Sequence, residues 1–271
     1  MQFMVNSAAV FAATGGRAFV DSQPTVMFLH GAGMDHTVWA LQTRYFAHHG
    51  FNVLAVDMPG HGRSAGEPLD SIAAMADWVE AAADAQGIEA LYLVGHSMGA
   101  LVALEAAGRG LAMIKAVAVL GVAAEMPVHP KLLKAAFAGD HWALEAIVNW
   151  GFAGKSHLGG HAAPGNWTVG AGMRLMEQVA MPALGSDFNA CDIYKSALER
   201  AATITVPTLV LMGGQDKMTP AANARPLVAA LAQGQAERLE GVGHMIMLEA
   251  PDRTLDCLAG FFQHLNPETT G

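Results

Sequence analysis

Charge is scarce in this chain: only 14% of its 271 residues are Asp, Glu, Lys or Arg, against 52% hydrophobic. A chain so apolar buries enough surface to offset the entropy of ordering, which excludes an intrinsically disordered protein. Cationic charge is scarcer still. Fifteen Lys and Arg stand against twenty-four Asp and Glu, a formal net charge of −9. That is the wrong sign for gripping a phosphate backbone or an anionic bilayer, so no nucleic-acid or membrane-surface partner is expected. Cysteine is nearly absent. Cys191 and Cys257 are too few for a disulfide framework and lack the close spacing of a zinc or redox motif, which fits a reducing, cytoplasmic compartment. The first basic residue is Arg17, behind an apolar stretch, so a secretory signal is not expected. Long hydrophobic runs are missing too. The longest, 111–124, is interrupted by Lys115 and falls short of the roughly 20 residues that cross a bilayer.

What is present is an alternation. Largely apolar runs at 25–29, 51–56, 91–94 and 114–120 read as strands, separated by helical patterns that begin near Asp35 and cover 72–85 and 98–107. Strands that are apolar on both faces belong in a parallel sheet covered by helices on either side. After Gly121 the rhythm breaks. Residues 122–196 carry helical stretches around Leu132, Trp142 and Leu175 with no convincing strand, and this segment is expected to form a helical cap inserted into the sheet domain. Alternation resumes with a strand at 206–212, a helix at 221–232, a short strand at 236–239 and a last helix at 251–264. The expected organisation is therefore an α/β core of residues 1–121 and 197–271 enclosing the cap.

The strongest local signal is Gly95-His96-Ser97-Met98-Gly99, a G-x-S-x-G between a predicted strand and a predicted helix. Such a turn exposes the serine hydroxyl on a strained backbone, and small flanking residues relieve the crowding there. Taken alone, it is also the pattern of a helix start capped near Ser97. Serine needs a base, and the base needs a third group to hold its tautomer. Two apolar strands downstream run into Gly213-Gly214-Gln215-Asp216 and Gly241-Val242-Gly243-His244, beyond strand carboxyl ends, where open α/β sheets place functional loops. Asp216 and His244 are the acid and base candidates, in the order Ser, Asp, His expected of this architecture; Glu125 is the alternative acid. Between the first strand and its helix stands His30-Gly31-Ala32-Gly33. A Gly-rich turn there can aim a backbone N–H at a developing oxyanion while the helix behind Ser97 supplies another, and Ala32 and Met98 are the expected donors. The loop from Asp57 to Ser64, rich in Pro and Gly, reads as structural.

On these motifs the chain resembles the α/β-hydrolase superfamily, of the compact bacterial type with an inserted cap, over nearly its whole length. His30–Gly33 resembles the oxyanion loop, Asp57–Ser64 the D-x-P-G-x-G-x-S turn, Gly95–Gly99 the nucleophile elbow, Asp216 the acid and His244 the base. The resemblance implies hydrolysis without metal or organic cofactor, and the chain has neither a ligand cluster with metal spacing nor a dinucleotide fingerprint. Members resembling epoxide hydrolases and dehalogenases carry an aspartate at the elbow; Ser97 instead favours acyl transfer. Members that cut carbon–carbon bonds commonly have asparagine before the serine, where this chain has His96. The expected substrate is a small carboxylic ester. A lactone, an enol-lactone or a carbon–carbon bond handled by the same residues is the alternative, and a non-catalytic ligand receptor the distant one. Trp142, Trp150 and Trp167, with Met126, Met173, Met176 and Met181, are candidates for lining an apolar substrate pocket or for the cap's own core.

Overall fold

A computed structural model describes residues 1–21, 23–161, 165, 167–179 and 183–265. Eight strands form one sheet: β1 Gln2–Val5, β2 Ala8–Ala13, β3 Thr25–Leu29, β4 Asn52–Val56, β5 Leu91–His96, β6 Ile114–Leu120, β7 Thr208–Gly213 and β8 Gly234–Leu239. Their spatial order is β1-β2-β4-β3-β5-β6-β7-β8, parallel from β4 onward, with β1 and β2 antiparallel at one edge. The parallel sheet is the one expected. The edge hairpin is not in the sequence reading. It turns through Asn6 and Ser7, both at positive φ (48° and 66°), which is the twist that a two-residue hairpin loop requires.

Every residue of β3, β4 and β5 is buried, because helices cover both faces: α1 Ala40–Ala47, α2 Ile72–Ala85 and α3 Met98–Gly108, then α10 Ala221–Ala230, α11 Ile246–Glu249 and α12 Pro251–Leu265. Helix α2 starts where Ser71 Oγ accepts the Ala74 N–H, a side-chain cap that satisfies an otherwise orphaned donor. Helix α3 is buried along its entire length, and its run of Ala and Gly lets the sheet and neighbouring helices approach closely. The helix expected to open at Asp35 is split. Residues His36–Trp39 form a 3₁₀ turn capped by Asp35, α1 follows, and Leu41 lies exposed rather than in the core.

The chain passes from β3 outward to β4, then returns to the other side of β3 as β5. This reversal sets the loops after β3 and β5 side by side at the carboxyl edge, where α/β sheets open a crevice. Between β6 and β7 every described element is a helix: α4 Pro130–Phe137, α5 Trp142–Gly151, α6 Gly154–His157, α7 Thr168–Val179, α8 Leu184–Ile193 and α9 Ala197–Thr203. Among the described residues no helix is long and apolar enough to cross a membrane.

Candidate active site

Ser97 sits between β5 and α3 with φ 53° and ψ −114°, a conformation that costs an L-residue on the order of 1–3 kcal/mol and is kept only where the surroundings enforce it. Its N–H is bonded to Leu120 O at 2.9 Å. The flanking glycines are dictated by space: a Cβ on Gly95 would lie 2.1 Å from Gly99 O, and one on Gly99 would lie 2.4 Å from Leu29 O. The elbow is therefore wedged against the strand that leads into the His30–Gly33 turn.

His244 and Asp216 come from the loops after β8 and β7. His244 Nδ1 donates to Asp216 Oδ2 at 2.8 Å, and both side chains are buried. Thr219 Oγ1 donates to the same oxygen at 2.6 Å, while Oδ1 accepts the Met218 and Thr219 N–H groups, each at 2.8 Å. Burial alone would raise the Asp216 pKa; the neighbouring His244 charge and these hydrogen bonds outweigh it and hold the carboxyl well below its usual range. With Nδ1–H committed to the carboxylate, Nε2 of a neutral ring is the nitrogen left to accept a proton. His96 Nε2 donates to His244 O at 2.9 Å; burial and the nearby His244 lower the His96 pKa to about 3, so this ring is a neutral strut between the Ser97 turn and the His244 loop.

Ser97 and His244 line one cavity of about 50 Å³ together with Ala32 and Thr219. No hydrogen bond joins the Ser97 hydroxyl to the imidazole, and such contacts commonly tighten only around a substrate. The rest of the wall is Met126, Pro127, Val128, Phe188, Cys191 and Met218, with no charged side chain. Larger clefts lie elsewhere: one of about 670 Å³ near Pro24, Asn52 and Lys115, and one of about 230 Å³ near Lys155 and Arg253. Neither is lined by Ser97, Asp216 or His244.

Ala32 lines the cavity and Met98 is the first residue of α3; neither N–H is spent on a backbone hydrogen bond among the described residues. His30 braces the turn, donating from Nδ1 to Gly31 O at 2.9 Å and accepting the Met58 N–H at Nε2. Burial and the neighbouring His61 lower its pKa to about 4, which keeps it neutral. Asp57 accepts His36 N and Nδ1 at one oxygen and Arg63 N at the other. This cross-bracing matches the structural role read for its loop. Asp35, His36 and Asp57 also bring three potential metal-ligand atoms within 4.8 Å of one another, but the Asp57 oxygens are already occupied by these donors.

The remaining candidates separate. Met126 lines the cavity, whereas Trp142 and Trp150 pack edge to face with centroids 6.3 Å apart, Lys131 lying over Trp142 at 4.0 Å. Trp167 is 63% exposed. None of the three tryptophans is at the cavity wall. Met173 is half-buried on α7, Met176 on the same helix belongs to the core, and Met181 lies outside the described residues. Glu125 is exposed and faces Lys195 at 3.6 Å, away from the imidazole. Two carboxylates that the sequence reading did not single out also reach the site. Glu249 ties the Gly243 N–H to Ala153 N and Ser156 Oγ, clamping the base loop to the inserted helices. Asp187 on α8 bonds Gly33 and His61. An acid inside the apolar pattern Leu184-Gly185-Ser186-Asp187-Phe188 was the available signal.

Residues 26–256 match the alpha/beta hydrolase family. The chain is 25% identical over 258 residues to (E)-2-((N-methylformamido)methylene)succinate hydrolase of Acinetobacter baylyi, covering 90% of this chain and 91% of the relative. Its structure is similar to the enol-lactonase from Burkholderia xenovorans LB400, with TM-score 0.86, 22% identity, and coverage of 97% of this chain and 100% of that one. It is also similar to a thermophilic esterase from Thermogutta terrifontis, with TM-score 0.84, 17% identity and 98% coverage of both chains.

Proposed function

The chain belongs to the alpha/beta hydrolase family, and from the site it builds we propose that it is a serine hydrolase acting on a small, uncharged carboxylic ester, with lactones as cyclic esters within reach of the same chemistry. The reading is carried by one observation: a strained, cavity-lining Ser97 shares its cavity with an imidazole whose other nitrogen is bonded to a buried carboxylate. In this reading Ser97 Oγ attacks the carbonyl carbon as its proton passes to His244 Nε2, and Asp216 holds the tautomer and stabilises the imidazolium. The Ala32 and Met98 amides take the oxyanion. His244 then protonates the leaving alcohol, and water activated by the same ring releases the acid.

The wall supports this substrate class. The cavity is small, about 50 Å³, and walled mostly by apolar side chains, which suits a short acyl group. The succinate in the name of the Acinetobacter relative's substrate is a dicarboxylate; the cavity here offers it no Lys or Arg, and a neutral ester fits better. The 122–196 insertion acts as the cap, contributing Met126, Phe188 and Cys191 to the wall.

The test is labelling by a fluorophosphonate together with hydrolysis of p-nitrophenyl acetate. Wild-type protein labels once, at Ser97, and turns the ester over; Ser97→Ala does neither. Turnover retained by Ser97→Ala removes Ser97 from the mechanism, and a folded wild type that neither labels nor hydrolyses favours a ligand receptor.

A further inference from the structure

Asp187 is wholly buried, and both of its hydrogen bonds fall on a single oxygen. Oδ2 accepts the Gly33 N–H and bonds His61 Nε2, each at 2.8 Å. Gly33 directly follows Ala32, so the carboxylate grips the oxyanion loop one residue from its proposed donor. His61 is fixed from the other side, Nδ1 donating to Pro59 O at 3.0 Å. With that nitrogen protonated, Nε2 meets the carboxylate as the second donor of an imidazolium. Burial alone would lower the His61 pKa; the Asp187 hydrogen bond and charge, with a smaller contribution from Asp57, outweigh it and raise it, and the neutral His30 ring packs at 4.7 Å. A buried pair of this kind gains little net stability but constrains position strongly. The same helix supplies Phe188 and Cys191 to the cavity wall.

We propose that Asp187 is a positioning residue of the oxyanion hole, aiming the Ala32 amide through Gly33 only while α8 is seated on the core. The proposal rests on the ester-hydrolase reading above. It makes the inserted segment part of the rate machinery as well as of the pocket wall.

The chemistry predicts an unusual mutational pattern. In Asp187→Asn the amide oxygen can take the Gly33 N–H, but His61 then loses its counter-charge, and as a neutral ring it sets a lone pair against that oxygen. Turning the amide satisfies His61 and points an NH₂ at the Gly33 N–H. One partner is lost in either orientation. Adding His61→Gln removes the conflict, because the Gln amide donates to the Asn oxygen beside Gly33 with no charge to balance.

Steady-state hydrolysis of p-nitrophenyl acetate and inhibition by a trifluoromethyl ketone, whose adduct carries an oxyanion, are measured for wild type, Asp187→Asn, His61→Gln and the double variant. Losing one donor outright costs about 10² to 10³; a misaimed one is expected to lower kcat about 10- to 100-fold with KM within about threefold, and to weaken the ketone in parallel. The double variant returns to within about fivefold of His61→Gln. Unchanged kcat, a change in KM alone, or a loss that His61→Gln does not relieve overturns the proposal. If Asp187→Asn does not fold, Asp187→Glu keeps the charge opposite His61 but moves the oxygens by a methylene, and kcat unchanged in that variant overturns it equally. A wild type that fluorophosphonate does not label sinks the hydrolase reading and this proposal with it; a labelled, active wild type indifferent to Asp187 sinks this one alone.

Discussion

Asp216→Asn isolates the tautomer argument. Asp216 Oδ1 accepts two main-chain N–H groups at 2.8 Å, from Met218 and Thr219. Neither can accept a hydrogen bond, so the oxygen of an asparagine must stay on that side. Its NH₂ then replaces Oδ2, facing His244 Nδ1 and the Thr219 hydroxyl, which can turn to accept. The imidazole is driven to the tautomer with its proton on Nε2, the nitrogen that should take the proton from Ser97. Shape and backbone bonds are preserved while the base is disabled. The loss expected from a wrong tautomer is about 10⁴ in kcat, or roughly 5 kcal/mol of transition-state stabilisation, with the variant melting within a few degrees of wild type. Initial rates with p-nitrophenyl acetate, checked beside a thermal melt, read both quantities. An Asp216→Asn protein that keeps more than about a tenth of wild-type kcat refutes the reasoning, since its Nε2 could not then carry the base function.

Three further outcomes are expected. Ser97→Gly and Ser97→Ala are both inactive, but at φ 53° glycine is unstrained where alanine is not, so the glycine variant melts higher than the alanine variant despite glycine's greater unfolded-state entropy; the reverse order in paired melts contradicts the strain assignment. Gly99→Ala places a Cβ 2.4 Å from Leu29 O and 2.6 Å from His30 O; forcing β3 and the elbow apart is expected to cost about 1–3 kcal/mol or more in urea unfolding and to depress kcat, and wild-type behaviour in both assays argues against the close packing. His61 has a raised folded pKa, so its contribution is fully present below the unfolded value of about 6.5 and fades as pH climbs through the folded one. The stability gap between wild type and His61→Gln should therefore shrink from pH 6 to pH 9, and an equal gap at both ends removes the ion pair from consideration.

Much of the fold is legible along the chain because its strands are fully buried. Residues 26–29 and 53–56 are apolar at every position and buried throughout, the pattern of a doubly covered parallel sheet. The β1–β2 hairpin escaped because an edge ribbon half open to solvent alternates weakly, and Asn6-Ser7 is a weaker turn signal than Asn-Gly. Ser97, Asp216 and His244 were legible for a related reason. Each follows an apolar run and is announced by glycines whose absence of a side chain is forced by backbone contacts such as Gly95 against Gly99. The tryptophans were open to both readings because a large apolar ring in a helical segment serves a core as readily as a pocket, and Trp142 with Trp150 packs against the core.

Local order along the chain was enough to determine the alternation of strands and helices and the loops on which Ser97, Asp216 and His244 sit, because propensity, burial pattern and turn chemistry act over a few residues. Contacts between distant residues decided the rest. That Asp187 reaches Gly33 across 154 residues, that His96 braces the main chain of His244 across 148, and that Met126 and Phe188 form the wall depend on how the insertion settles on the sheet. Such packing is selected by the fit of whole surfaces, and no short stretch of sequence records it.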